Sequence, residues 1–112
     1  MKATTSRQLA AQALIEISSG ARANDALAAA LTEQGTDLTV RDRAFVTELV
    51  QGTTRMRRAV DYALEPYVDG KLDPDVRSAL RMGAHQILHL RTPPHAAVND
   101  TVAVAPRRAR GL

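Results

Sequence analysis

The chain has 112 residues, no cysteine, a formal net charge of +3 and a pI near 10, a size that fits one domain with a single core. With no thiol in the inventory, disulfides, thiolate zinc sites and cysteine nucleophiles are excluded. The opening run Met1-Lys2-Ala3-Thr4-Thr5-Ser6 holds one basic residue with no long apolar stretch behind it, so neither a signal peptide nor a membrane span is expected, and a cytoplasmic location follows.

Ala, Leu, Arg, Gln and Glu abound and strand-type alternation is missing, which predicts an all-α fold. Ser6 is placed to cap a first helix from Arg7 to about Ser19, with Leu9, Ala10, Ala13, Leu14 and Ile17 as its apolar stripe and Gly20 as its end. Asn24 caps a shorter second helix to about Gln34, closed by Gly35. Thr39 with Asp42 three residues on has the form of a capping box. From Val40 the apolar residues Ala44, Phe45, Leu49, Gly52, Met56, Val60, Ala63, Leu64 and Tyr67 recur at helical spacing, with a break or kink expected at Gly52-Thr53-Thr54.

Pro66 to Lys71, with Asp69-Gly70, reads as a turn, and Asp73-Pro74 supplies a cap followed by proline at the first helical position. The helix that follows runs to Leu90, with Val76, Ala79, Leu80, Gly83, Ala84, Ile87 and Leu88 as its expected apolar face. Thr92-Pro93-Pro94 stops it, and a last amphipathic piece spans about His95 to Ala105. The helical domain is thus 1–105, with 106–112 as a basic C-terminal segment.

Charge is unevenly spread. Arg107, Arg108 and Arg110 supply the whole excess, leaving 12 basic and 12 acidic side chains over residues 1–106. Any nucleic-acid footprint is therefore a local patch. Thirteen of the 15 basic residues are arginine, which suits bidentate phosphate contacts, although arginine beside 20 alanines equally fits GC-rich codon usage. The densest patch lies at Arg41, Arg43, Arg55, Arg57 and Arg58, opposed only by Asp42 and Glu48. Arg57 and Arg58 each reach Asp61 within one helix, but exposed pairs of that kind are worth only about 0.3–0.5 kcal/mol and leave them available to a phosphate. For Arg55 two roles stay open, phosphate binding or hydrogen bonding to carbonyls freed at the Gly52 bend.

Arg7, with Lys2 before it, lies against the dipole of its helix and is a further candidate RNA contact. Arg77, Arg81, His85 and His89 fall at four-residue steps and form either a basic stripe or an ordinary solvated face. His85-Gln86-Ile87-Leu88-His89 resembles a zinc-protease helix only superficially, because Gln86 stands where a general base is needed and a third ligand is missing. No metal site is expected. Aromatic stacking is thinly provided, since Phe45 and Tyr67 fall on the apolar stripe and only Tyr62 is left to face a base. No glycine-rich strand-to-helix loop is present, so no nucleotide or S-adenosylmethionine pocket of the doubly wound kind is expected, and the chain itself is read as non-catalytic, without a cofactor.

Three blocks carry a family resemblance. They are Arg41-Asp42-Arg43-Ala44-Phe45-Val46-Thr47-Glu48-Leu49-Val50 with Gly52, Arg55 and Asp61; Leu80-Arg81-Met82-Gly83-Ala84-His85-Gln86-Ile87-Leu88; and Pro94-His95-Ala96-Ala97-Val98-Asn99-Asp100. Together they resemble the NusB-type helical domain, specifically the N-terminal domain of the RsmB (Sun/Fmu) ribosomal RNA cytosine-5 methyltransferases. Stand-alone NusB, the transcription antitermination factor that binds boxA RNA with a ribosomal protein, is similar but fits the Arg-Asp-Arg and Gly-Thr-Thr-Arg stretches less well.

The resemblance implies a NusB-like bundle of about six helices in two subdomains that helps recognise RNA for a catalytic domain elsewhere. Arg7 falls near the arginine-rich first helix of NusB, though its neighbours do not reproduce that motif, and His85 stands where the family often has Tyr. The family's domain continues past position 112 into one more helix. Its absence would leave an apolar groove uncovered and lead to self-association or marginal stability. The rival to RNA recognition is a protein-interaction domain, favoured by the neutral body.

Overall fold

Helix propensity and apolar periodicity are realised as six α-helices in a computed structural model that describes residues 3–33, 37–68 and 70–106. They are α1 (Ala3–Ser18), α2 (Ala23–Glu33), α3 (Val40–Arg55), α4 (Arg57–Leu64), α5 (Pro74–His89) and α6 (Pro94–Val104), with a 3-10 turn at Glu65–Tyr67 after α4. No strand forms among the described residues. Gly35, Asp69, Lys2 and the Arg107-Arg108-Ala109-Arg110 run lie outside them.

α1 is the hub and touches α2, α3, α5 and α6. Its stripe of Leu9, Ala10, Ala13 and Leu14 is buried against Val46, Leu49 and Val50 of α3 and Ala26 and Leu27 of α2. Small residues at positions 10 and 13 let the backbones approach, and the larger ones fill the space between. α4 stands at the margin, packed chiefly on α3, α5 and the 3-10 turn that follows it.

Local signals explain several boundaries. Thr39 caps α3, its Oγ1 accepting from the Asp42 backbone N–H at 3.0 Å while the Thr39 N–H donates to Asp42 Oδ2 at 3.4 Å, as a capping box requires. Asp73 precedes Pro74 at the start of α5. At the end of α5 Arg91 adopts a left-handed conformation, φ 56°, and the Thr92 N–H returns to the Gln86 carbonyl at 3.0 Å, turning the chain into α6.

Besides Asn24, which lies inside α2 rather than capping it, three expectations need correction. α1 starts at Ala3 rather than after Ser6, so Ser6 is no cap; it lies inside the helix, fully buried, its hydroxyl without a hydrogen-bond partner among the described residues. The helix break comes at Met56, not at Gly52-Thr53-Thr54, and α3 runs through Gly52 without interruption. Gly52 serves packing instead: a Cβ there would stand 2.5 Å from His85 Nε2 and 2.7 Å from Glu48 Oε1.

The third correction concerns α5, which is rotated from its expected apolar face. Ser78, Arg81, Met82, His85 and Gln86 are buried with Val76, Ala79 and Gly83, whereas Ile87 and Leu88 are exposed. Burial of these polar groups is tolerated because most have partners. Arg81 donates from Nε and Nη2 to both Asp61 oxygens, at 2.7 and 2.9 Å, and Gln86 joins a network with α1 and α6. Arg81 and His85 therefore belong neither to a solvated face nor to a basic stripe.

Candidate nucleic-acid interface

Among the described residues the densest cationic feature is the corner between α3 and α4. Met56 leaves helical geometry at φ −94°, ψ 13°, while its N–H still reaches Gly52 and its carbonyl accepts from Val60, both at 2.9 Å. One residue is thereby out of register without the two helices separating. Thr53 and Val60 stay buried on the inner side. Arg55, Arg57 and Arg58 point outward, the first two side chains being 64% and 57% exposed.

Thr54, Arg55, Arg57, Arg58 and Asp61 surround a surface concavity of about 540 Å³. Each possible tether on the arginines is long. Arg55 Nη2 stands 4.0 Å from Glu48 Oε1, and Arg57 Nε stands 4.0 Å from Asp61 Oδ2. Exposed pairs at that range are worth roughly 0–1 kcal/mol. No ion pair among the described residues holds Arg58. Asp61 is chiefly engaged by Arg81 from the other side, so its negative charge is largely compensated before Arg57 meets it. Arg57 and Arg58 also occupy the first turn of α4, where a cation opposes the helix dipole and gains nothing for helix stability.

The five predicted arginines do not form one patch. Arg41 and Arg43 are exposed on the first turn of α3, and the helical rise puts Arg41 about 21 Å from Arg55 along the axis. At 3.6 residues per turn Arg41 and Arg55 share nearly the same side of α3, within about 40°. Arg55 is not bonded to freed carbonyls, since helix continuity at Gly52 leaves none there.

Arg7 is placed differently from its expected role. Only 6% exposed, its Nε donates to Gln86 Oε1 at 2.9 Å, its Nη1 lies 3.0 Å from Asp100 Oδ2, and its guanidinium sits 5.0 Å from the centroid of Phe45. These contacts turn it away from solvent and make it a strut between α1, α3, α5 and α6. Its spacing, three, four and seven residues before the buried Ala10, Ala11 and Leu14, puts it at the edge of the apolar stripe, but the partners that bury it lie far along the chain.

The two histidines form a second polar cluster. His85 and His89 face each other through Nδ1 atoms 3.0 Å apart, so one ring donates and the other accepts, while His85 Nε2 lies 3.5 Å from Glu48 Oε1. Burial lowers the His85 pKa below 6.5, opposed by Glu48 and reinforced by the charges of His89 and Arg55. No group of three or more His, Cys, Asp or Glu converges on a point among the described residues. None of the helices described is long and apolar enough to cross a membrane.

A second concavity, about 500 Å³, adjoins the first and shares Arg58 and Asp61 with it. It lies between α4, the following turn and α5, with Tyr62 on its wall. Tyr62 is 80% exposed, as the sequence suggested; Tyr67, expected on the apolar stripe, is exposed as well.

The described residues form an all-α bundle of six helices, and the family follows from sequence comparison: residues 4–111 match the model of the NusB family, to which the chain belongs. Ribosomal RNA small subunit methyltransferase B of Thermus thermophilus is 40% identical over the whole chain, which spans 28% of that protein. The probable ribosomal RNA small subunit methyltransferase B of Bacillus subtilis is 32% identical over 96% of the chain and 25% of its own length. Transcription antitermination protein NusB of Xanthomonas oryzae pv. oryzae is 33% identical over 61% of the chain and 46% of its own length. The chain thus spans about a quarter of the methyltransferases it matches. No solved structure gives a significant match.

Proposed function

We propose that this chain is an RNA-recognition module of a small-subunit ribosomal RNA (cytosine-5) methyltransferase, holding the substrate strand for a catalytic domain outside these residues. The observation that carries the reading is the α3–α4 corner, where Arg55, Arg57 and Arg58 project around one concavity and are tethered by nothing shorter than 4.0 Å. Phosphates there would gain bidentate, charge-assisted hydrogen bonds at little cost in broken ion pairs. Arg41 extends the same side of α3 and would meet the strand further along, while Arg43, about 120° round the helix from Arg55, would meet it only at the flank. Arg7 is left out, since reaching a phosphate would break its bonds to Gln86 and Asp100.

In this reading the chain performs no chemistry and binds no cofactor of its own. S-adenosylmethionine belongs to the catalytic domain, and the setting is the cytoplasm. Ile87, Leu88, Val98 and Val102, exposed on the paired helices α5 and α6, would be the seam for a neighbouring domain or for a second copy. The match to transcription antitermination protein NusB favours an antitermination factor as the second reading, separable by preference for boxA-like RNA together with a ribosomal protein.

Filter binding of ribosomal RNA fragments at several salt concentrations tests the proposal. Reversal of Arg57 and Arg58 to Glu should weaken binding across sequences and reduce the salt slope by roughly 1 to 2. Affinity unchanged by the reversal would remove the corner from the account, and failure of the native chain to bind RNA at all would leave a protein-interaction domain.

A further inference from the structure

The cleft between α4 and α5 differs from the arginine corner in its chemistry. Its floor is apolar, formed by the half-buried Leu64, Leu72 and Leu80, and its rim is polar. Arg58 and Arg77 stand there beside Glu65 and Asp61, the latter already engaged by Arg81, so the cleft is only weakly cationic and offers a polyanion far less attraction than the arginine corner. Its volume of about 500 Å³ lies within the range of small-ligand sites, which also combine apolar walls with a few placed polar groups.

Tyr62 has its ring in water at the edge of this cleft. The tyrosine contributes nothing to the core by that placement, and its exposed face is available for stacking. On the same helix, one turn back, Arg58 lines both the cleft and the arginine concavity. A flat, neutral, hydrogen-bonding ring covalently joined to a phosphate has the same division of chemistry as these two adjoining cavities.

We infer that the α4–α5 cleft receives an unpaired nucleobase of a single-stranded RNA, stacked on Tyr62, while Arg58 holds the adjoining phosphate. The inference rests on the RNA-recognition reading and deepens it: the corner supplies sequence-independent affinity, and the cleft selects single strands. A paired base in a duplex has its faces and its edge occupied, and A-form geometry keeps it from entering such a cleft. Glu65, exposed at the rim, is an acceptor for a base bearing an exocyclic amine.

The test uses fluorescence anisotropy with the 112-residue chain and three probes, a short unstructured RNA strand, the same strand with abasic sugars, and an RNA duplex. Tyr62→Ala should weaken binding of the intact strand roughly 5- to 150-fold, the range that single base–aromatic stacks contribute, and leave the abasic strand and the duplex unchanged. Tyr62→Phe should keep the affinity. Because the side chain is exposed, both variants should unfold at the wild-type temperature, which a melt verifies. Equal weakening of intact and abasic strands, or no effect of Tyr62→Ala while the Arg57→Glu/Arg58→Glu variant loses all three probes, overturns the cleft and leaves the phosphate site standing. Absence of binding by the native chain to any probe overturns both.

Discussion

Truncation of Arg7 to Ala should cost the protein a large part of its stability. Three losses combine. Gln86 Oε1, in a fully buried side chain, loses its donor, and a buried acceptor left unsatisfied costs about 1–3 kcal/mol. Asp100 loses its cation; removing one partner of a buried pair costs about 3–5 kcal/mol, but its carboxylate is 27% exposed and regains water, so this contribution falls well below that range. The stacking over Phe45 adds about 0.5–2 kcal/mol. These contributions share one side chain and do not add in full, which points to about 3–5 kcal/mol against the total of about 5–15 kcal/mol usual for a domain. Arg7→Lys keeps the charge but not the fork that serves Gln86 and Asp100 together, and should fall between Ala and wild type. Urea denaturation followed by circular dichroism reads the effect as a shift in midpoint at unchanged m-value. A loss under about 1 kcal/mol for Arg7→Ala would refute the strut and reopen a role for Arg7 at the surface.

Two other outcomes follow from the His85 environment. Gly52→Ala, which inside an ordinary helix would stabilise by about 1 kcal/mol, should instead destabilise by about 1–2 kcal/mol because the new Cβ collides with the buried His85 ring; in a His85→Ala background the same change should become favourable, and equal cost in both backgrounds would show that the ring is not the obstacle. The lowered pKa of His85 means that the unfolded chain takes up its proton first on acidification. Its contribution to stability is fully present above the unfolded value of 6.5 and is lost as pH falls through the folded value. Melting temperatures should therefore decline as pH falls from 6.5 toward the folded value, and His85→Gln should make the decline shallower. An identical decline in both proteins would assign it to other groups.

Most of the helical framework was legible because its signals are local. The Thr39–Asp42 box and the Asp73-Pro74 start involve residues within three positions of each other, and the apolar stripes of α1 and of α3 up to Val50 follow from periodicity alone. What escaped were decisions made by distant partners. Gly52 suggests a bend by type, yet it is glycine because the His85 ring passes over it. Arg81 and Gln86 look like surface residues until Asp61 and Arg7 are brought to them, so the inward face of α5 could not be read from its own sequence. The candidate site was legible in part: Arg55, Arg57 and Arg58 do share one corner, but Arg41 and Arg43 stand at the far end of α3, and proximity along the chain concealed a separation of about four turns.

The position of α1 bears on how the protein acquires its shape. As the chain is synthesised, this helix leaves the ribosome ahead of every element that will cover it, and the groups that complete the shell of Arg7 are contributed by residues 86 and 100. Until then the nascent chain would hold a guanidinium awaiting its anion, flanked by bare leucines and alanines, so that the shell closes only once α5 and α6 have emerged. A bundle organised in this way matures from its far end backward.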